Sequence, residues 1–199
     1  ISEIVVEDVP DVAANGGTDD IRIAARLIDI DGPLGIAGFG GFDGARPGSL
    51  LPYSGLIELD VADADPSDPN YDDVVLHEMM HALGFGTVWT AQGLLQDDTT
   101  GQQRFIGANA VSVYDDAFPE EFAADPRSSQ GIPTQGDNAH WNEEIFGNEI
   151  MTPFGISGQD QQISEMTIAS LEDLGYDTVF DDPNDPTDQM GTRPAFPIA

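Results

Sequence analysis

Residues 71–83 read Tyr-Asp-Asp-Val-Val-Leu-His-Glu-Met-Met-His-Ala-Leu and stop at Gly84. The pattern predicts a helix. Asp72 and Asp73 suit the positive end of its macrodipole, and glycine is a common residue just past a helix C-terminus. On a helix His77 and His81 lie one turn apart on one face, so both imidazoles can reach one metal ion. Glu78 is one step round, poorly aimed as a third ligand but placed to take a proton from a zinc-bound water as general base. The plainer reading is two ordinary helix histidines. The chain has only three histidines, and two of them fall at this spacing around a glutamate. That favours the metal reading.

A catalytic zinc commonly takes three protein ligands and keeps one position for water. The short metzincin form would place a histidine at position 87, where this chain has Thr87. The remaining histidine is His140, in Asp137-Asn138-Ala139-His140-Trp141, and it is the preferred third ligand. Glu143, Glu144 and Glu149 are the carboxylate alternatives, as in zincins with a third-ligand glutamate. Thiolate ligation and disulfides are impossible, because there is no cysteine.

Composition narrows the partners. Among 199 residues, 6 basic groups face 37 acids, giving a net charge of −31. All six cations are arginines: Arg22, Arg26, Arg46, Arg104, Arg127 and Arg193. No basic cluster exists to neutralise nucleic-acid phosphates or dock on anionic lipid. No apolar run approaches the ~20 residues of a membrane span. Hydrophobic residues at 40% are enough for a core without disulfides. Self-repulsion at this charge suits a halophilic or calcium-bearing medium, where it is screened.

Ile21–Ile30 and Gly55–Val61 alternate partly and cleanly, respectively, and read as strands. Between them, residues 31–48 hold seven glycines and two prolines and read as a long loop or irregular hairpin. Short helices are expected around Ala108–Phe118 and from Ser164 to Leu174, the latter ended by Gly175. Residues 1–9 are expected as a helix remnant or a peripheral strand, and residues 11–20 as loop. Ile1–Pro10 lacks an initiator Met and a signal-peptide layout. The expected organisation is one catalytic domain over 1–180, truncated at its N-terminal part, and an acidic, Pro-rich, mobile tail or linker over 181–199.

With these motifs in hand, a family resemblance is specific. His77–Trp89 resembles the active-site helix of leishmanolysin-like metallopeptidases, a metzincin branch whose third histidine is delayed by an insertion. Gly107-Ala108-Asn109-Ala110 resembles a segment of that insertion. His140-Trp141 and Phe146–Thr152 resemble the third ligand and the methionine turn, and Thr167–Tyr176 the C-terminal helix. The resemblance spans roughly residues 50–176, in order. It implies an α+β metzincin-like zincin with a twisted mixed sheet, an active-site helix and a smaller C-terminal subdomain. It also implies zinc on His77, His81 and His140, and Glu78 as catalytic base and acid. Met151 would lie in the turn beneath the metal, and Gly84 would let the chain leave the helix. The strand near Leu56–Asp60 would be the sheet edge that takes an extended substrate. Thr152 and Pro153 follow Met151 where some metzincins carry a tyrosine, and the cysteines of the protozoan members are absent.

The reading that results is a secreted zinc endopeptidase of the bacterial or archaeal branch, acting on protein or peptide, a monomeric domain of a larger precursor. Two other classes stand beside it: a catalytically silent zinc-stabilised domain of a larger secreted or surface protein, and a calcium-binding acidic adhesion module. Calcium is a further candidate cofactor, because Asp60, Asp63, Asp65, Asp68, Asp72 and Asp73 cluster, as do Asp181, Asp182, Asp185 and Asp188. Neither cluster has EF-hand spacing. If the charge reflects a saline medium, thermal stability should rise steeply as added salt shortens the Debye length from ~10 Å to ~3 Å. A melting temperature that is flat in salt would make the lysine-free composition incidental.

Overall fold

The computed structural model describes residues 4–5, 8–13, 17, 20–33, 35–155 and 161–179. The tail expected over 181–199 lies outside the described residues. Among them the fold is α+β. Strands β1 (Arg22–Ile28), β2 (Gly38–Ala45) and β3 (Pro52–Asp60) form a mixed sheet ordered β1-β3-β2. β1 runs parallel to β3 and β2 antiparallel to it. Helix α1 (Tyr71–Ala82) follows, then α2 (Trp89–Gln92). A small antiparallel sheet of β4 (Leu95–Asp97), β5 (Gln103–Phe105) and β6 (Ile132–Pro133) encloses α3 (Ala108–Ala117) and α4 (Pro119–Ala124) in chain order. Helices α5 (Glu143–Phe146) and α6 (Glu165–Leu174) complete it.

The glycine run needs a physical account. Its first part is irregular, but Gly38–Ala45 is strand β2, paired with β3 through a register shift between Phe42 and Gly44. The irregular hairpin is therefore what forms there. Glycine at 40 is not a turn signal: a Cβ there would overlap the Glu78 carbonyl, and one at Gly38 would lie 3.0 Å from the Glu78 side chain. At Gly38 and Gly40 the strand carries no side chain because α1 is laid directly on it. One expectation is corrected. β3 is the central strand, hydrogen-bonded on both sides, so the sheet edge beside α1 is β2 and not Leu56–Asp60.

α1 ends in a Schellman arrangement. Phe85 N–H donates to Met80 O (3.0 Å) and Gly84 N–H to His81 O (3.1 Å), with Gly84 at φ +113°. Met80 and Phe85 are both fully buried, supplying the apolar contact that accompanies this motif. The core around them includes Trp89, Phe105, Tyr114, Trp141, Met151, Met166 and Leu171. Trp89 sits 4.6 Å from Phe85, 4.8 Å from Phe105 and 5.1 Å from Trp141, ring centre to ring centre. α6 is capped by the Ser164 side chain, which accepts from Thr167 N–H, and its C-terminal Gly175 has φ +105°. Near the N-terminus, Val5 bridges Thr178 antiparallel, which is strand-like pairing and not a helix remnant.

Two arginines are consumed inside. Arg46 donates to the backbone carbonyls of Pro10 and Pro52 at 2.7 and 2.6 Å, and to that of Asp20. Arg104 joins Asp98 (3.1 Å) and Asp125 (2.6 Å), and Arg127 reaches the same Asp98 at 2.7 Å. The Thr100 hydroxyl and amide, then Arg104, hold the Asp98 carboxyl well below the usual range. Burial pushes Asp125 up, but Arg104 and the Arg127 N–H bring it below its ordinary value. Both carboxyls are depressed by folding, so their stabilisation is complete above the unfolded pKa near ~4 and is lost as pH falls through the folded values. Arg104→Met should cost about 3–5 kcal/mol at neutral pH, because it strands buried charge. Denaturant titrations should show the gap from wild type closing as pH drops below ~5. A gap that stays constant would remove this network from the stability of the fold.

Candidate metal centre

α1 presents His77 and His81 one turn apart, and the loop after β6 returns His140 to the same point. Their Nε2 atoms form a triangle with sides of 3.0, 3.1 and 3.2 Å. Each Nδ1 is already engaged. His77 Nδ1–H donates to Ile150 O at 2.7 Å, His81 Nδ1–H to Phe85 O at 3.0 Å, and His140 Nδ1–H to the Asp137 carboxylate at 2.8 Å. A carbonyl can only accept, so His77 and His81 carry their protons on Nδ1 and turn bare Nε2 lone pairs inward. Burial, then the neighbouring histidines, pulls the imidazole of His81 down to about 3, and burial pulls that of His77 to about 4. Both are neutral at pH 7.

Three acceptors pointed at one another at this range repel unless a cation lies between them. The point equidistant from the three nitrogens is about 1.8 Å from each, close to the ~2.0–2.1 Å of a zinc–imidazole bond. The donor set thus fits a metal ion, and the three histidines are positioned to bind one. Glu78 is 6% exposed beside them, and burial pushes its carboxyl up to about 7. Its backbone and side chain abut Gly40 and Gly38 of β2, which walls one flank of the site.

The structure brings together the three histidines anticipated from sequence and leaves the carboxylate alternatives apart. Glu143 accepts from Phe154 N–H at 3.3 Å, Glu144 is exposed, and Glu149 is buried in bonds of its own. Gly84 takes the left-handed exit expected of it. Met151 is fully buried and its carbonyl accepts from Trp141 N–H at 3.0 Å, joining the turn at Met151 to the residue after His140. The acidic stretch before α1 gathers no comparable cluster among the described residues. Asp60 spends its oxygens on the N–H groups of Asp31, Gly32 and Ala62.

Sequence reasoning missed Asp137 and Gly86. Asp137 sits three residues before His140, a spacing that could have flagged it as an orienting carboxylate. Burial pushes its carboxyl up, but the Ala139 N–H and His140 bring it below the usual range. Gly86, at φ +71°, packs on the backbone before His140, where a Cβ would overlap the Ala139 carbonyl. Asp137→Asn should lower metal affinity about 10–100-fold in chelator competition, the usual cost of losing such a partner. Gly86→Ala should weaken binding as well, by displacing the His140 loop. Wild-type affinity in both would mean that this loop is not held by these contacts.

No family model matches the chain. Part of it is similar to the ciliated left-right organizer metallopeptidase of Danio rerio, 23% identical over 119 residues. That alignment takes in 53% of this chain and 19% of the zebrafish protein, so the chain spans about a fifth of the length of this relative. The likeness is to a metallopeptidase, and the chain carries three histidines placed to hold a metal.

Proposed function

We propose that the chain is a zinc-dependent endopeptidase domain of the leishmanolysin-like metzincin kind, secreted, and cut from or contained in a larger precursor. The observation that carries this reading is the convergence of three bare Nε2 atoms, two of them on the helix that also carries the buried carboxyl of Glu78. The likeness to a metallopeptidase supports it. His77, His81 and His140 would hold the zinc. Zinc, when bound at such a site, is a Lewis acid that lowers the pKa of water and polarises a carbonyl.

The residues of the chain do the rest. Glu78 has a carboxyl raised by burial toward neutrality, suited to accept a proton from the attacking water and return it to the leaving amine. The three Nδ1–H bonds keep the imidazoles from rotating and fix which nitrogen faces inward. Met151 packs the turn under the ligands, and Gly84 turns the chain so that the Phe85 carbonyl can orient His81. β2, as the strand at the sheet edge beside Glu78, is the place for an extended peptide to add by backbone hydrogen bonds. This moves the substrate strand from the Leu56–Asp60 segment to Gly38–Ala45. A peptide or protein substrate follows from that edge, and an extracellular saline setting accords with the charge of −31.

The decisive comparison is wild type against Glu78→Gln, with zinc content measured beside hydrolysis of casein. Zinc should stay at one per chain, and turnover should fall at least ~10²–10⁴-fold, the usual range for losing a general base. His140→Ala should lower zinc content sharply. A Glu78→Gln protein that cleaves casein at the wild-type rate would end the assignment. Wild-type protein that binds zinc but cleaves nothing would favour the silent-domain reading.

A further inference from the structure

Glu149 is the most deeply placed carboxylate near the site, 2% exposed, and the proton-transfer scheme makes no use of it. Every group facing its oxygens is a donor. Oε2 accepts from Met151 N–H at 2.6 Å. Oε1 accepts from Ser164 N–H (3.2 Å), from the Ser164 hydroxyl (2.8 Å) and from the Thr167 hydroxyl. The Thr167 oxygen in turn accepts from the Trp141 indole N–H at 2.7 Å. These partners include no arginine. Burial pushes the Glu149 carboxyl above its ordinary value; a buried carboxyl held only by neutral dipoles is expensive, and an apolar residue of similar size would serve packing alone as well or better.

The geometry of one peptide unit gives that expense a purpose. The Met151 N–H and the Ile150 C=O belong to the same rigid plane. The N–H end is held by Glu149, and the C=O end accepts from His77 Nδ1–H at 2.7 Å. We propose that Glu149 is a positioning residue for the metal centre, acting on His77 through the Ile150–Met151 peptide. The arrangement is a carboxylate–histidine pair with a peptide inserted between the partners. Fixing the N–H fixes the direction of the C=O and so the ring plane of His77. The acceptor oxygen at one end polarises the peptide, strengthens the bond at the other, and makes His77 Nε2 a better donor of its lone pair. The rest of the turn is held independently, by Ile150 N–H to Gln162 O at 2.8 Å and Trp141 N–H to Met151 O at 3.0 Å. Glu149 therefore tunes one peptide within a turn that other bonds already shape.

The inference rests on the reading of His77 as a metal ligand, and its test separates the two. Wild type, Glu149→Gln and Thr167→Val are compared by zinc affinity in chelator competition, and by the His77 imidazole N–H signal in ¹H–¹⁵N spectra of apo and zinc-loaded protein. Glutamine keeps the size, but whichever way its amide lies its N–H₂ meets the Met151 or the Ser164 backbone N–H, which can only donate. Glu149→Gln should lower zinc affinity about 10–100-fold and shift the His77 Nδ1–H signal. Thr167→Val, which removes one donor to Glu149 Oε1 and the tie to Trp141 but leaves the Oε2 bond to Met151 N–H, should lower the melting temperature and leave the His77 signal in place. If Glu149→Gln costs only melting temperature, with His77 and zinc affinity unchanged, Glu149 is a packing residue and the proposal falls. Should that variant not fold, the wild type decides: Met151 N–H and His77 Nδ1–H must both be protected from solvent exchange, and rapid exchange of either overturns the proposal. Failure of the wild type to take up zinc would sink the metal reading instead, while the apo spectra still judge the peptide link.

Discussion

Mutual repulsion among three imidazole lone pairs is the constraint around which the structure is arranged. Neutral His77 and His81 gain nothing from facing each other, or His140, at about 3.1 Å. They are held there by three acceptors drawn from separate parts of the chain: a carbonyl in the methionine turn, a carbonyl just past α1, and a carboxylate in the His140 loop. Each acceptor has its own support. Phe85 O is placed by the Schellman exit at Gly84, and the Asp137 loop is seated by the bare backbone of Gly86. The site is preorganised from outside inward, and a cation at its centre would turn the repulsion into coordination.

Much of this was legible in the sequence because it is local and periodic. The His77-Glu78-x-x-His81 spacing, the acidic first turn and Gly84 specify α1 almost to the residue. His140 was identifiable because histidine is so scarce. The segments that escaped are those whose cause is tertiary. β2 is built from glycines that read as turns; contact with Glu78 explains Gly38 and Gly40, and the Tyr53 ring explains Gly44. β4, β5 and β6 are two or three residues long, too short to show alternation, and α2 and α5 span one turn each. The central position of β3 also has no local signal, since pairing on both sides depends on where β1 and β2 lie. Asp137 was visible only as one acid in an acid-rich chain, and Glu149 only as an alternative third ligand.

The scarcity of cations also reads differently once their positions are known. Arg46 and Arg104 are buried, 4% and 2% exposed, and work as multiple donors to carbonyls and carboxylates. Arg127 shares Asp98 with Arg104. A guanidinium offers five donors in a fixed fork, which an ammonium does not, so these interior posts suit arginine and would be poorly filled by lysine. Arg26 pairs with Glu58 across β1 and β3 on the exposed sheet face. Of the few positive groups, Arg46 and Arg104 thus serve the interior, while Arg26 stays exposed.

The return of His140 to α1 has a consequence for a chain without cysteine. It closes a loop of 59 residues onto His81, and the methionine turn hangs on the same cluster through His77. A metal ion held there is a cross-link. The unfolded chain keeps no such site, so the free energy of binding the ion would add to the stability of the fold. Unlike a disulfide, this staple is indifferent to the redox state of the medium, and it can be withdrawn by a chelator and put back.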